Sequence, residues 1–251
     1  MKDKNMFDYS KNTDWKKFYS INKDHYHTIY HVENLLNLWN EYKDEFKKEY
    51  LDLDEEALIT AIKWHDSYYI PGDSNNELNS ILNYMNASSK EIGYENGYNI
   101  SIGSDPLVCL IIESTIIGYD QFDVSPELKV MHDLDWSGFN DYETFKNNCE
   151  KICLEAIEVG KLEEIDVRKN QIEFYRKFAE KPLYLTKTFS KFNDIAKENM
   201  LKLADELENT YFSRRSAFDC TGMFQNMQPQ ITIVDEEKLY KAIEKLATND
   251  K

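Results

Sequence analysis

The chain has 251 residues, 41% of them hydrophobic and 14% aromatic, which indicates a folded protein with a sizeable core and excludes a disordered chain. Its 8 glycines and 5 prolines favour helices over a loop-rich β fold. The formal net charge of −16 excludes non-specific binding to nucleic acid and to anionic membranes, but it allows a small phosphorylated substrate if a metal ion supplies local positive charge.

Cysteine usage and apolar segments indicate the compartment. The four cysteines form no CxxC pair, and free thiols fit a reducing compartment. The first residues lack the apolar core of a secretion signal, and no stretch reaches the roughly 18 apolar residues that a membrane helix needs. We therefore predict a cytoplasmic protein.

Helical periodicity recurs along most of the chain. The predicted helices cover residues 28–46, 58–65, 76–85, 105–117, 141–159, 164–180 and 188–208. Apolar residues recur in them at spacings of three and four, and we expect residues such as Val32, Met85 and Ile195 to face the core. The predicted loops cover residues 70–75, 92–104 and 118–126. These elements predict an all-α fold, with a single helical-bundle domain over residues 1–209.

The remaining residues, 210–251, differ in character. They begin as a loop, continue with a candidate strand at "ITIVD", and end in a capped amphipathic helix at "DEEKLYKAIEKLA". We interpret them as a short C-terminal extension without chemistry of its own.

A histidine–aspartate pair follows the second predicted helix. His65 continues the apolar face of Leu58 and Ile62, so it should point inward, where an imidazole must be hydrogen-bonded or ligated. A carboxylate at Asp66 is costly near the core unless a cation pairs with it. The pair is therefore either half of a metal site or a helix-terminal histidine with Asp66 capping the next turn.

Three histidines, His25, His27 and His31, lie at the start of the first predicted helix. His27 and His31 are four residues apart and would share a helix face, with Thr28 as a candidate cap. They are either a metal ligand with a neighbouring ligand or substrate contact, or solvent-exposed histidines. HxxxH without the central glutamate of a zincin is a weak pattern.

Two further carboxylates lie in "VMHDLDWSGF". Asp133 and Asp135 follow apolar residues, so either could complete a metal site, or both could be solvated at a helix end. We interpret His132 as a bystander. One histidine, the His65–Asp66 pair and one of these aspartates form a mixed nitrogen and oxygen set that suits one divalent ion such as Mn, Fe, Co, Ni, Zn or Mg. Glu77 is then a candidate proton carrier, or else a solvated residue at a helix start.

At this level the sequence resembles the HD superfamily of metal-dependent phosphohydrolases. The segments "HYHTIYHVENLL", "WHDSYYIPGDSNNELNS", "DLDW" and "FNDIAKENMLKLADEL" follow one another in the order of the blocks HYHTxxHI, FHDxxYDP with SDNExxSA, DADLAILG and ExxARxNLxxEL of its predicted phosphohydrolases. The resemblance covers about residues 14–208. HD alone is a weak motif, but four ordered blocks are specific.

The resemblance implies roles for individual residues. The implied metal ligands are His31, His65, Asp66 and Asp135, with Asp133 as the second choice for the last position. Asp66 and Glu77 are the implied catalytic residues, one of which would accept the proton of the attacking water. The implied substrate-binding residues are His27, Tyr69, Asn76, Ser80 and Asp133.

The sequence departs from the family pattern at three positions. Gly118 stands where the family usually has a histidine, and Ile70 and Asn75 replace two aspartates. The lost histidine weakens the case for a second metal ion, and the changes allow altered substrate choice or reduced activity.

The leading functional prediction is a phosphohydrolase that cleaves a nucleotide or a similar small phosphate ester or anhydride through a metal-activated water. The alternative is a degenerate HD domain that binds a nucleotide signal without hydrolysing it. A di-iron oxygenase would need more ligands than the five histidines comfortably provide, and a purely structural helical protein would leave the four ordered blocks unexplained. The sequence leaves the oligomeric state open, with a homodimer as one option.

Overall fold

The structure is a computed structural model that describes residues 15–88, 90–95, 98–102 and 105–212. This part of the chain contains nine α-helices. They are α1 (Ile29–Glu49), α2 (Glu55–Trp64), α3 (Asn76–Ser88), α4 (Pro106–Glu113), α5 (Pro126–Asp135), α6 (Tyr142–Glu158), α7 (Glu164–Phe178), α8 (Lys187–Ser190) and α9 (Asn193–Tyr211). Short 3₁₀ helices lie at Trp15–Phe18, Phe122–Val124 and Trp136–Asn140.

The all-α prediction is confirmed, with one local correction. The predicted loop at residues 92–104 is wrong in part, because strands β1 (Lys90–Glu95) and β2 (Tyr98–Ile102) pair there as an antiparallel hairpin. Outside this hairpin and an isolated bridge between Ser20 and Thr28, the described residues form helices, turns and loops. No helix in the described ranges is long and apolar enough to cross a membrane.

Side-chain caps fix the beginnings of several helices. Asp54, Asp105 and Asp141 each accept a hydrogen bond from a backbone N–H in the first turn of the helix that follows, at distances of 2.8–3.1 Å. Helix α1 begins directly after Thr28, as the sequence predicts, but the Thr28 hydroxyl makes no capping bond. Local polar residues therefore determine where α2, α4 and α6 start.

Two predicted helices end or break earlier than the apolar pattern suggests. Helix α4 stops at Glu113, because the hydroxyls of Ser114 and Thr115 donate to carbonyls three residues back. The predicted helix over residues 188–208 is divided into α8 and α9, because the Asn193 side chain accepts hydrogen bonds from two backbone amides of the preceding loop.

The helices share one hydrophobic core. The fully buried side chains from five helices include Val32, Trp39, Leu58, Ile62, Ile111, Ile112, Leu128, Met131 and Met200. The apolar helix α4 packs between α2, α3 and α5, which agrees with its predicted central position. Met85 and Ile195 are wrong as core predictions, since they are 40% and 45% exposed. The predicted strand and helix of the C-terminal extension lie outside the described residues.

Asp133 ties α5 to the segment that precedes α8. Its carboxylate is fully buried and accepts hydrogen bonds from the Leu185 amide (2.8 Å), the Thr186 amide (2.9 Å) and the Thr186 hydroxyl (2.6 Å). Burial raises the pKa of Asp133 to about 7, although the three donors favour its ionised form. This aspartate is therefore a structural anchor.

Replacing this anchor should destabilise the fold. We expect Asp133→Ala to lower the free energy of unfolding by about 3 kcal/mol, because it leaves buried donors without a partner. The matched control is Asp141→Ala, which removes only the exposed cap of α6 and should cost about 1 kcal/mol. Urea unfolding followed by circular dichroism gives both values, and equal losses would contradict the role assigned to Asp133.

Candidate metal centre

The His65–Asp66 pair lies where helix α2 ends. Helix α2 buries Leu58, Ala61 and Ile62, and His65 follows on the same inward face with 1% of its surface exposed. Its Nδ1 lies 2.9 Å from the Ile62 carbonyl oxygen, so Nδ1 carries a proton and Nε2 is the atom left to bind a metal ion once it is deprotonated. His65 thus ends a helix and is also buried, which unites the two interpretations of the sequence.

Side chains from two other helices meet His65 at Nε2. The His31 Nε2 atom, from the first turn of α1, lies 3.3 Å away, and the Asp66 Oδ2 atom lies 3.0 Å away. Asp135, the last residue of α5, brings its Oδ1 atom to 3.1 Å from His31 Nε2 and 3.7 Å from His65 Nε2. The ends of three helices therefore converge on one point.

The geometry fits a bound cation. Ligand atoms about 2.1 Å from a shared ion lie about 3.0–3.4 Å apart in octahedral or tetrahedral coordination, which is close to the spacings seen here. The ligand atoms of His31, His65 and Asp66 all lie within 4.8 Å of one another. These three buried or half-buried residues could hold a metal ion, with Asp135 beside both imidazoles as a candidate fourth ligand.

Without a cation, the cluster holds a proton instead. Burial alone would lower the pKa of His65, but the carboxylates of Asp66 and Asp135 raise it to about 9. Burial would raise the pKa of Asp66, yet the neighbouring histidines hold it well below its usual value. The two carboxylates are therefore stabilised by a positive charge between them and the imidazoles. A proton on His65 or a metal ion can supply that charge.

The two aspartates of the segment "DLDW", Asp133 and Asp135, have different surroundings. Asp135 contacts the imidazoles, whereas both oxygens of Asp133 bind the Leu185–Thr186 segment. The structure does not bring Asp133 to the cluster, and its complete burial speaks against the predicted substrate contact. Asp133 and Asp135 are two residues apart on α5, so they point in different directions.

Asn76 and Ser80 hold the loop between α2 and α3. The Asn76 amide binds both the N–H and the carbonyl of Ile70, at 2.9 and 3.1 Å. The buried Ser80 hydroxyl does the same for Tyr68, at 3.1 and 3.2 Å. Their predicted contact with substrate stays a prediction, and the structure gives both side chains a loop-holding role.

Glu77 lies at the start of α3, half-buried. Burial raises the pKa of its carboxyl, and the charge of Asp66 adds to that shift while His65 opposes it. A carboxyl with a raised pKa near a metal site is suited to accept and return a proton.

The sequence did not single out Glu155, which pairs with His27. The Glu155 Oε2 atom lies 2.7 Å from His27 Nδ1, and both side chains are largely buried. A face of the imidazole stacks on Tyr69, with the ring centroids 3.3 Å apart. One turn further along α6, Glu158 binds His25 Nε2 at 2.8 Å. The available sequence signal was a glutamate within the apolar face of Ile152 and Ala156.

A cleft of about 350 Å³ opens beside the cluster. His31 and Asp135 form part of its wall, and polar residues of α1 and α6 form about half of the remainder. A cleft of this size accommodates a small molecule. Two of the four candidate ligands, His31 and Asp135, are therefore accessible to a substrate from one side.

Comparison of the chain with protein-family models, with curated proteins and with solved structures finds no match in any of the three. The resemblance to the HD superfamily thus depends on the four sequence blocks and on the buried cluster, and it stays a prediction.

Metal binding should depend on the clustered residues. We expect the metal-free protein to bind about one equivalent of Mn²⁺ by calorimetry, and His65→Ala to weaken binding at least about 100-fold because it removes a ligand. The control is His25→Ala, whose imidazole binds Glu158 away from the cluster. Equal affinities of these two variants would contradict the site.

Metal affinity should also depend on pH. A ligating imidazole must be neutral, and His65 has a pKa of about 9 in the metal-free protein. The ion must therefore displace a proton at neutral pH, so affinity should rise roughly tenfold per unit up to about pH 9 and then level off. Calorimetry in buffers of different ionisation enthalpy should detect release of about one proton at pH 7.5. No release would contradict this protonation state.

Proposed function

We propose that this protein is a metal-dependent phosphohydrolase of the HD superfamily that acts on a nucleotide or a similar small phosphate ester. The observation that carries this proposal is the convergence of His31, His65 and Asp66 on one buried point at the wall of a cleft. These are the residues that the HD-type blocks designate as ligands. Asp135, the fourth designated ligand, contacts the same two imidazoles.

Asp66 and Glu77 would have different roles in hydrolysis. A divalent ion, when bound, polarises a phosphoryl oxygen and lowers the pKa of a water molecule. Asp66 has a pKa well below its usual value, which suits a ligand and does not suit a proton acceptor near neutral pH. Glu77, with its raised pKa, is the better candidate to take the proton from water.

His27 is a candidate positioning or phosphate-binding group. Glu155 and Tyr69 fix its ring from two sides, and its charge is close enough to influence Asp66. An imidazole held in this way can donate a hydrogen bond to a phosphate oxygen. This role supports the substrate-binding prediction for His27 and gives Tyr69 an indirect part in it.

A degenerate domain that binds without cleaving is the second candidate. Gly118 has a φ of +95°, a left-handed conformation that a histidine would adopt only with strain. The turn after α4 is therefore built differently from one that carries the family's histidine. This observation favours a changed pocket, and turnover distinguishes the two candidates.

Hydrolysis should be measured directly. We expect the Mn²⁺-loaded protein to release phosphate or pyrophosphate from at least one member of a nucleotide panel. Glu77→Gln should lower kcat at least about 100-fold while leaving Mn²⁺ affinity unchanged, because it removes only the proton acceptor. The control Glu143→Gln changes an exposed residue of α6. Absence of turnover by metal-loaded protein, with Asp66→Ala behaving like wild type, would overturn the proposal.

A further inference from the structure

The cleft beside the cluster is a groove between α1 and α6. Helix α1 lines it with His31, Asn34 and Leu38, at spacings that keep one helix face along the groove. Helix α6 lines the other side with Thr144, Asn148 and Lys151 at the same spacings. The turn from Asp135 to Gly138 lies between them. A Cβ atom on Gly138 would lie 2.9 Å from Asn148 Nδ2, so glycine allows this turn to approach α6 closely.

Two contacts determine how the helices are aligned. His27, before α1, binds Glu155, and His25, further back along the chain, binds Glu158, further on along α6. The two helices therefore run in opposite directions. Lys151 lies one turn before Glu155 along α6, and His31 lies in the first turn of α1; both line the groove, as do Asn148 and Asn34.

The charge of the groove is unevenly distributed. Lys151 is the one lysine or arginine among the lining residues, in a chain whose net charge is −16. Within the described part of the chain it has no hydrogen-bond or ion-pair partner. Other lining residues include amides, hydroxyls and the apolar side chains of Leu35 and Leu38, and Glu41 lines the groove about 15 Å from His31 along α1.

We infer that Lys151 binds the phosphate group of the substrate opposite the metal ligands, and that the substrate is a phosphate monoester with an uncharged polar alcohol, such as a nucleoside 5′-monophosphate. This inference rests on the proposed function. A lysine in the same groove as His31 and Asp135 can supply charge-assisted hydrogen bonds to a phosphate. Amide groups such as Asn34 and Asn148 match a sugar or a base, and Glu41 disfavours a second anionic group at the far end.

Binding tests this inference separately from turnover. Calorimetry is performed on Mn²⁺-loaded Glu77→Gln protein with the four ribonucleosides, their 5′-monophosphates and their 5′-triphosphates, and phosphate is assayed afterwards to detect turnover. We expect at least one monophosphate to bind at least tenfold more tightly than its nucleoside and its triphosphate. Adding Lys151→Met should lower the affinity for that monophosphate at least tenfold. Lys151→Arg in its place should keep most of the affinity.

The matched control is Lys146→Met, on the same helix, which removes a lysine paired with Glu206 outside the groove and should change affinity less than twofold. Thermal unfolding checks that each variant is folded. A triphosphate that binds as tightly as its monophosphate, no binding of any monophosphate, or an unchanged affinity in Lys151→Met would overturn the inference. If the protein hydrolyses a nucleotide but Lys151→Met binds the monophosphate as tightly as before, the inference fails and the proposed function still holds. Lys151-dependent binding of a monophosphate that wild-type protein does not cleave overturns the proposed function alone.

Discussion

Two carboxylates and two imidazoles share one buried point, and the site depends on how their charges are balanced. Asp66 and Asp135 lie in contact with the facing Nε2 atoms of His31 and His65, and burial would disfavour unbalanced anions there. A proton on His65 or a metal ion provides the balance. Because these side chains come from the start of α1, the end of α2 and the end of α5, the same contact determines where three helix ends meet.

The surrounding structure holds this contact in place through polar anchors on the backbone. Asn76 and Ser80 fix the loop that follows Asp66, and Asp133 fixes α5 against the segment before α8. On the side of α6, Glu155 holds the ring of His27 near the cluster. The groove between α1 and α6 then exposes the site at one side, which is the arrangement that a hydrolase for small phosphate esters requires.

The sequence predicted most of the helices and the inward direction of His65, because apolar spacing and burial follow local periodicity. It could not separate Asp133 from Asp135, since their partners lie between 52 and 104 positions away in the chain. It placed Asn76 and Ser80 among substrate contacts, because a motif does not show which backbone a side chain binds. It missed Glu155 for the same reason. It also missed the hairpin at 90–102, although Asn96 and Gly97 are a typical hairpin-turn pair between segments with alternating apolar residues.

The central claim is that the cluster of His31, His65 and Asp66 binds a divalent metal ion. A crystal structure of the protein grown with Mn²⁺, with anomalous diffraction recorded above the manganese absorption edge, tests this most directly. The account predicts one strong anomalous peak about 2.0–2.3 Å from His31 Nε2, His65 Nε2 and Asp66 Oδ2. Well-ordered side chains in the same positions without an anomalous peak between them would contradict it.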